Sequence, residues 1–329
     1  MKVEFIKGLE NYKPNEPQSA VVTIGTFDGI HRGHQAILKR VNEVAHENGG
    51  LTPVLVTFHP HPRVLVTPES IPLLLTTIRE KEKFIPDFFD GQVLILEFND
   101  NLKNLDAEEF VKKILVETLG AKKLIVGYDH AFGRNRSGNI EKLTELGKIY
   151  NFDVEVVGPV IHNDKPVSSS RIRTATLDGH YDLAIELMGH YYAISGPVER
   201  GLGLGRRLGY PTANVGYDIR KLLPPEGVYA CWAQVDGEEK DGMMFIGKNH
   251  FNPQKLITVE ANLFDFDRDI YDKEIIVYPT TFIRENRKFD STEKLIEQIK
   301  KDKKDVLEII NKEKENGYEQ RSKSSNCQN

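Results

Sequence analysis

Cysteine is nearly missing. Cys231 and Cys327 are the only two in 329 residues, far apart and outside any paired metal-ligand spacing. That excludes a disulfide framework and sets the expectation of a reducing, cytoplasmic setting. No apolar run approaches the roughly 18 residues of a membrane span. The opening MKVEFIKGLENYKPNEP has neither a long apolar core nor a small-residue cleavage site, so no targeting segment is expected. Charge of one sign is lacking too: 44 Lys and Arg stand against 49 Asp and Glu, a net charge of −5. That balance argues against general binding to nucleic acid or an anionic membrane, and leaves room only for a local positive site for phosphate. Repeats at solenoid periods are absent.

What is present divides into two textures, as a chain of this length suggests. In the first half, strand-like runs alternate with helical ones. Ala20–Gly25, Leu51–Phe58, Val93–Glu97, Lys123–Gly127 and Asp153–Val157 read as strands. Between them, Gly33–Glu47 carries Ile37, Val41 and Val44 at helical spacing, and Ala107–Thr118 carries Phe110, Val111, Ile114 and Leu115. Such alternation favours a parallel sheet covered on both faces. A helix over Asp182–Met188 ends at Gly189, and a boundary is expected there. Beyond it, Gly227–Val235, Met243–Gly247, Thr258–Phe264 and Ile275–Tyr278 are β-branched and aromatic runs between turns. They point to a small antiparallel β-barrel. A last helix is expected from an Asp290 N-cap, with Leu295, Ile299, Val306 and Ile310 as its apolar stripe. The expected organisation is therefore 1–188, 189–310 and a polar, mobile tail over 311–329.

The turn after the first strand, Gly25-Thr-Phe27-Asp28-Gly29-Ile-His31-Arg-Gly33-His34, combines glycines with two histidines at a helix start. Glycine permits close approach of backbone to a ligand, and free N–H groups at a helix N-terminus suit phosphate. Isolated, such a turn is as readily a surface loop. A metal site with His59 and His61 is disfavoured, because Pro60 and Pro62 interrupt any regular ligand spacing. Two further segments point the same way. Ser168-Ser169-Ser170-Arg171-Ile-Arg173 places hydroxyls and two arginines at a helix start, where arginine opposes the dipole unless an anion is bound. Val126-Gly-Tyr-Asp129-His-Ala-Phe-Gly-Arg-Asn-Arg136-Ser-Gly138 leaves a strand end, where open parallel sheets bind ligands.

The densest motif is Val198-Glu-Arg-Gly201-Leu-Gly203-Leu-Gly205-Arg206-Arg207-Leu-Gly209-Tyr-Pro211-Thr212-Ala-Asn214. Its glycines suit a phosphate-wrapping loop, and Thr212 and Asn214 offer oxygens to a hard cation such as Mg²⁺. It is no P-loop, since no Gly-Lys-Ser/Thr follows and no helix is expected after it. On the strand Thr258–Leu263, alternation puts Glu260 and Asn262 on one face and Val259, Ala261 and Leu263 on the other.

Residues 15–185 resemble the adenylyltransferase half of bacterial bifunctional riboflavin kinase/FAD synthetases, and residues 189–310 resemble riboflavin kinases. The first likeness rests on Gly25, Phe27, Asp28, Gly29, His31, Gly33 and His34, on Thr57-Phe58-His-Pro60-His61-Pro62, on Leu75-Thr-Thr with Glu80-Lys81, and on Ser168–Arg173. The second rests on the Gly201–Asn214 string, Pro225-Glu-Gly-Val-Tyr-Ala, Val259-Glu260 with Leu263-Phe-Asp-Phe, and Phe282-Ile-Arg284 with Lys288-Phe289. Two departures stand out: Asp129-His130 where the family has Asp-Phe, and Lys248–Pro253 without the family's Pro-Thr.

The resemblance implies a Rossmann-like nucleotidyltransferase domain followed by a barrel with a terminal helix. It implies that His31 and His34, with Gly25, Phe27, Asp28, Asp129, Ser169 and Arg173, handle ATP phosphates, and that Phe58, Pro60, His61 and Pro62 face the flavin. In the barrel it implies ATP at Gly201, Gly203 and Gly205, Mg²⁺ and nucleotide at Thr212 and Asn214, Glu260 as catalytic base, and Arg284 beside the flavin. Riboflavin, FMN, FAD and ATP are the partners so implied. Two rivals stand at this level: an adenylyltransferase for a different phosphate substrate, and a flavin- or nucleotide-sensing module without turnover.

Overall fold

In the computed structural model the described residues are 3–14, 19–47, 50–67, 71–133, 137–248 and 257–315. The segment Arg134–Arg136, most of the Lys248–Pro253 departure and most of the expected tail lie outside them. The chain packs into two compact units that do not meet at a single point in sequence. One comprises residues 1–73 and 81–169, the other residues 74–80 and 170–329.

The first unit is built on six parallel strands: β1 (Glu4–Lys7), β2 (Ala20–Ile24), β3 (Thr52–His59), β4 (Gln92–Glu97), β5 (Ala121–Gly127) and β6 (Asp153–Val157), in the spatial order β1-β4-β3-β2-β5-β6. Every residue of β2 is buried, as expected of a central parallel strand covered on both faces. The strand order reverses between β2 and β5, which makes their C-terminal ends a topological switch point. The helix Arg32–Glu47 buries Leu38, Val41, Val44 and Ala45, so Leu38 rather than the expected Ile37 is the fully buried residue of its second turn. The run Ala107–Thr118 is not one α-helix. Behind an Asp106–Glu109 capping box, Ala107–Phe110 is α-helical and Val111–Thr118 continues as a π-helix. A hairpin, β7 (Ile161–His162) with β8 (Lys165–Pro166), closes this part of the chain.

The second unit is a closed barrel of β9 (Ile194–Glu199), β10 (Ala213–Val215), β11 (Gly227–Val235), β12 (Glu238–Gly247), β13 (Thr258–Leu263) and β14 (Glu274–Arg284), ordered β10-β13-β12-β11-β14-β9 with antiparallel pairings. Closure removes exposed strand edges. Trp232 on β11 is buried and stacks on Tyr278 of β14, ring centroids 3.9 Å apart. The helices Ser169–Leu177 and Tyr181–Met188 precede the barrel, and Gly189 ends the latter in a left-handed conformation with φ 74°. The terminal helix Thr292–Glu315 seats Val306 and Ile310 against Ala230, Met243 and Phe264. Its cap is Ser291, whose side chain accepts from Lys294 N at 3.3 Å; Asp290, the expected cap, is ion-paired with Lys294 instead.

Residues 74–80 belong to the barrel unit. Leu74 forms a parallel bridge with Lys221, and its N–H and carbonyl bond Arg220 O and Leu222 N at 2.7 and 2.8 Å. Glu80 accepts from Ser195 N and Oγ at 3.2 Å each, and pairs with the Lys221 ammonium at 2.7 Å.

Candidate active sites

At the switch point of the parallel sheet, β2 runs into the Gly25–His31 turn. The turn is strained. Phe27 and Ile30 adopt left-handed φ values of 47° and 41°, costly for side-chain-bearing and especially β-branched residues, and both are buried. Gly29, at φ 92°, is the position that requires glycine. The turn is tied to the neighbouring strand, since Gly25 N–H donates to Val56 O at 3.0 Å and Thr57 Oγ1 donates to Thr26 O at 3.2 Å. Those bonds bring the Phe58–Pro62 element alongside it. Phe58 packs edge-on to Phe98, His61 Nδ1 accepts from Arg63 N, and the Pro62 carbonyl starts the short helix Arg63–Val66. Ser169 Oγ donates to Asp28 O at 2.9 Å, so the serine cluster also reaches the turn. Asp129 is exposed, just beyond the end of β5.

His31 and His34 lie face to face, ring centroids 3.6 Å apart and 16° from parallel, with Phe27 tilted against His34 at 5.0 Å. Burial first, then the neighbouring His31 and Lys81, hold His34 well below the ordinary imidazole value. His34 Nδ1 is buried without a hydrogen-bond partner among the described residues. Arg173 sits one turn beyond Ser169 on the same helix, in the part of the chain that packs with the barrel unit.

The barrel site assembles around Glu260 of β13. Thr212 Oγ1 donates to Glu260 Oε2 at 3.2 Å, and Thr258 Oγ1 contacts Oε1 at 3.4 Å. Asn214 of β10 stands opposite Glu260 in register. Burial raises the Glu260 carboxyl above its ordinary value, and the two threonine hydroxyls partly oppose that. Asn262, on the same face, donates to Pro211 O at 2.7 Å and fixes the Pro-Thr-Ala-Asn turn. The glycines are required by contact as well as by φ. A Cβ on Gly201 would lie 2.4 Å from Asn214 Nδ2, and one on Gly205 would lie 2.3 Å from Tyr210 O. Gly203 is left-handed at φ 65° and caps a one-turn helix, Leu204–Arg207, where no helix was expected. Arg206 and Arg207 are exposed on it.

All three guanidinium nitrogens of Arg284 have protein partners. Nε and Nη2 donate to Asp302 of the terminal helix at 2.7 to 3.0 Å, and Nη1 donates to Glu285 O. Asp302 was not expected from the sequence. Its signal is its position between Ile299 and Val306, a charge on the buried stripe of the helix. Thr258 and Lys81 likewise have no role assigned by the sequence; Lys81 Nζ donates to Thr26 O at the start of the Gly25–His31 turn. Among the described residues no cluster of three or more His, Cys, Asp or Glu forms a metal site. No described helix is long and apolar enough to cross a membrane.

The two sites match known proteins separately. Residues 13–171 match the family described as FAD synthetase, and residues 188–310 match riboflavin kinase. The bifunctional riboflavin kinase/FMN adenylyltransferase of Buchnera aphidicola is 38% identical over 315 residues, covering 94% of this chain and 98% of its own. The Bacillus subtilis protein of the same name is 34% identical, covering 93% and 98%. A solved structure from Streptococcus pneumoniae, described as a macrolide-efflux protein, has a TM-score of 0.79 at 30% identity, covering 93% of this chain and 99% of that one. With two matched domains and relatives of this identity along nearly its whole length, the chain belongs to the bifunctional riboflavin kinase/FMN adenylyltransferase family.

Proposed function

We propose that the chain makes FAD in two consecutive ATP-dependent reactions, phosphorylating riboflavin to FMN at the barrel and adenylylating FMN at the parallel sheet. The adenylyltransferase half is assigned to residues 1–188 and the kinase half to 189–310. The observation that carries the reading is the 3.2 Å contact between Thr212 Oγ1 and the Glu260 carboxylate, with Asn214 opposite. It puts a proton acceptor beside the hydroxyl and amide of the glycine-rich segment.

In the barrel, Glu260 takes the proton of the ribityl 5′-hydroxyl of riboflavin. The oxygen bonds to the γ-phosphorus of ATP, and ADP leaves. Burial raises the Glu260 carboxyl above its ordinary value, which makes its carboxylate a stronger base than an exposed one. Gly201, Gly203 and Gly205 hold the phosphates. Thr212 and Asn214 present hard oxygens that fit Mg²⁺, and the absent side chain at Gly201 makes room for the Asn214 amide itself. Mg²⁺, when bound, supplies neutralisation of phosphate charge. Arg284 contributes to the flavin site by anchoring the terminal helix through Asp302.

At the sheet, a phosphate oxygen of FMN bonds to the α-phosphorus of a second ATP and pyrophosphate leaves. No covalent enzyme intermediate is required. His31, His34, Ser169 and Arg173, with the Gly25–Asp28 turn and Asp129, bind the phosphates and stabilise the departing charge. Because His34 is held uncharged before ATP arrives, it contributes as a hydrogen-bond donor rather than as a fixed cation. Phe58, Pro60, His61 and Pro62 face the flavin. The cytoplasm, where ATP is abundant and the buried Cys231 thiol stays reduced, is the proposed location. Chromatography of riboflavin incubated with Mg·ATP tests the whole reading. FMN followed by FAD is expected, and FMN alone removes the adenylylation half.

A further inference from the structure

Lys81 is buried to 6% exposure, an unusual place for an ammonium, and the family resemblance assigns its side chain no role. Its Nζ donates to Thr26 O and lies 3.5 Å from Thr57 Oγ1, which itself donates to the same carbonyl. Asp28, buried at 2% exposure, supplies the opposite charge. Thr26 opens the strained stretch that runs through left-handed Phe27 and Ile30 to the stacked histidines. Backbone strain of this kind persists only where the surroundings over-determine it.

We propose that Lys81 is a positioning residue for FMN adenylylation, its buried ammonium holding the Thr26 carbonyl and so fixing the turn that presents His31 and His34 to ATP. The proposal rests on the adenylyltransferase reading above. Burial lowers the Lys81 ammonium to about 8, with Asp28 opposing, so the group is still mostly charged at neutral pH. That charge acts on His34 together with burial and His31, and all three disfavour the imidazolium. Lys81 therefore does two things a neutral spacer of its length cannot: it anchors a carbonyl and it discourages protonation of His34.

The test is Lys81→Met in the full chain, which keeps the length of the side chain and removes the charge. Conversion of supplied FMN to FAD is expected to fall by about 10–10² in kcat, the scale of a small displacement of positioned groups. Riboflavin phosphorylation at the barrel is expected to stay at the parent rate. The His34 ring resonance, assigned with His34→Gln, is expected to titrate at higher pH than in the parent, since removal of a neighbouring cation favours the imidazolium. Thr57→Val, which deletes the bridging hydroxyl without burying an unpaired charge, is expected to lower kcat in the same direction by less. The titration needs no turnover, so it separates failure of this proposal from failure of the adenylyltransferase reading, in which the parent itself makes no FAD. Parent-like FAD formation by Lys81→Met, an unmoved His34 titration, or loss of both activities in step would each overturn the positioning role.

Discussion

Glu80 and Lys221 form an ion pair at 2.7 Å with both side chains only 1% exposed, although 141 positions separate them in sequence. Lys221 also donates to Leu75 O and lies 4.2 Å from the centre of the Tyr192 ring. Removing one partner of a fully buried pair leaves the other charge uncompensated, which costs about 3–5 kcal/mol. Glu80→Gln is therefore expected to destabilise the barrel unit by roughly that amount, read as a lowered denaturant midpoint. A fragment starting at Gly189 lacks Glu80 altogether, and adding Lys221→Met to it is expected to raise its Tm. An unchanged Tm would show that Lys221 finds water or another partner there.

His34 faces His31 at the switch point of the sheet. His34→Ala is expected to reduce FAD formation by roughly 10²–10³, the usual scale for one preorganised donor, with FMN formation unchanged. Product ratios from a single incubation measure both. Equal loss of the two activities would mean a folding defect and not a local one.

Glu260→Gln preserves the size of the side chain but removes the proposed proton acceptor. Riboflavin phosphorylation is expected to drop by about 10²–10⁴, while flavin binding, followed by fluorescence quenching, is largely kept. Phosphorylation at the parent rate would place the base elsewhere.

The kinase should also show where Glu260 titrates. Burial raises its carboxyl, so the deprotonated form proposed as the base appears only above the ordinary carboxylate range. The acidic limb of kcat/KM for riboflavin is expected to lie correspondingly high. Thr258→Val deletes a hydroxyl that favours the anion, so the limb is expected to move further up. A limb that stays put or moves down in the pH–rate profile refutes the assignment.

Gly205 shows how tightly the glycine-rich segment is built. A methyl there would meet Tyr210 O at 2.3 Å and Thr212 Oγ1 at 3.2 Å. Gly205→Ala is expected to raise the kinase KM for ATP by tenfold or more, about 1.4 kcal/mol, without altering FMN adenylylation. Steady-state kinetics of the two reactions on one preparation decide it.

Much of this was legible in the sequence, and the rest was not for identifiable reasons. The parallel sheet followed from alternating periods, and the barrel from short β-branched runs between turns. The period of two also told which neighbour shares the face of Glu260: Asn262, like Glu260, is engaged with the Pro211–Thr212 turn. Local rules failed where neighbouring residues compete. Asp290 and Ser291 both suit a helix cap; the Lys294 ammonium takes Asp290, which leaves Ser291 to accept from the Lys294 N–H. They failed again at Glu80 and Lys81, which stand in the sequence only as part of a family-like string that says nothing of what either side chain touches. Their partners lie 141 and 55 positions away, beyond the reach of any periodicity.

Trp232 is the only tryptophan in the chain, buried in β11 and stacked on Tyr278. Indole emission excited at the red edge thus comes from the barrel unit and from nowhere else. The parallel sheet is optically silent at that wavelength, while circular dichroism sees both units. Recording the two signals in one melt turns a single wild-type sample into a measure of whether the halves lose structure together or in succession.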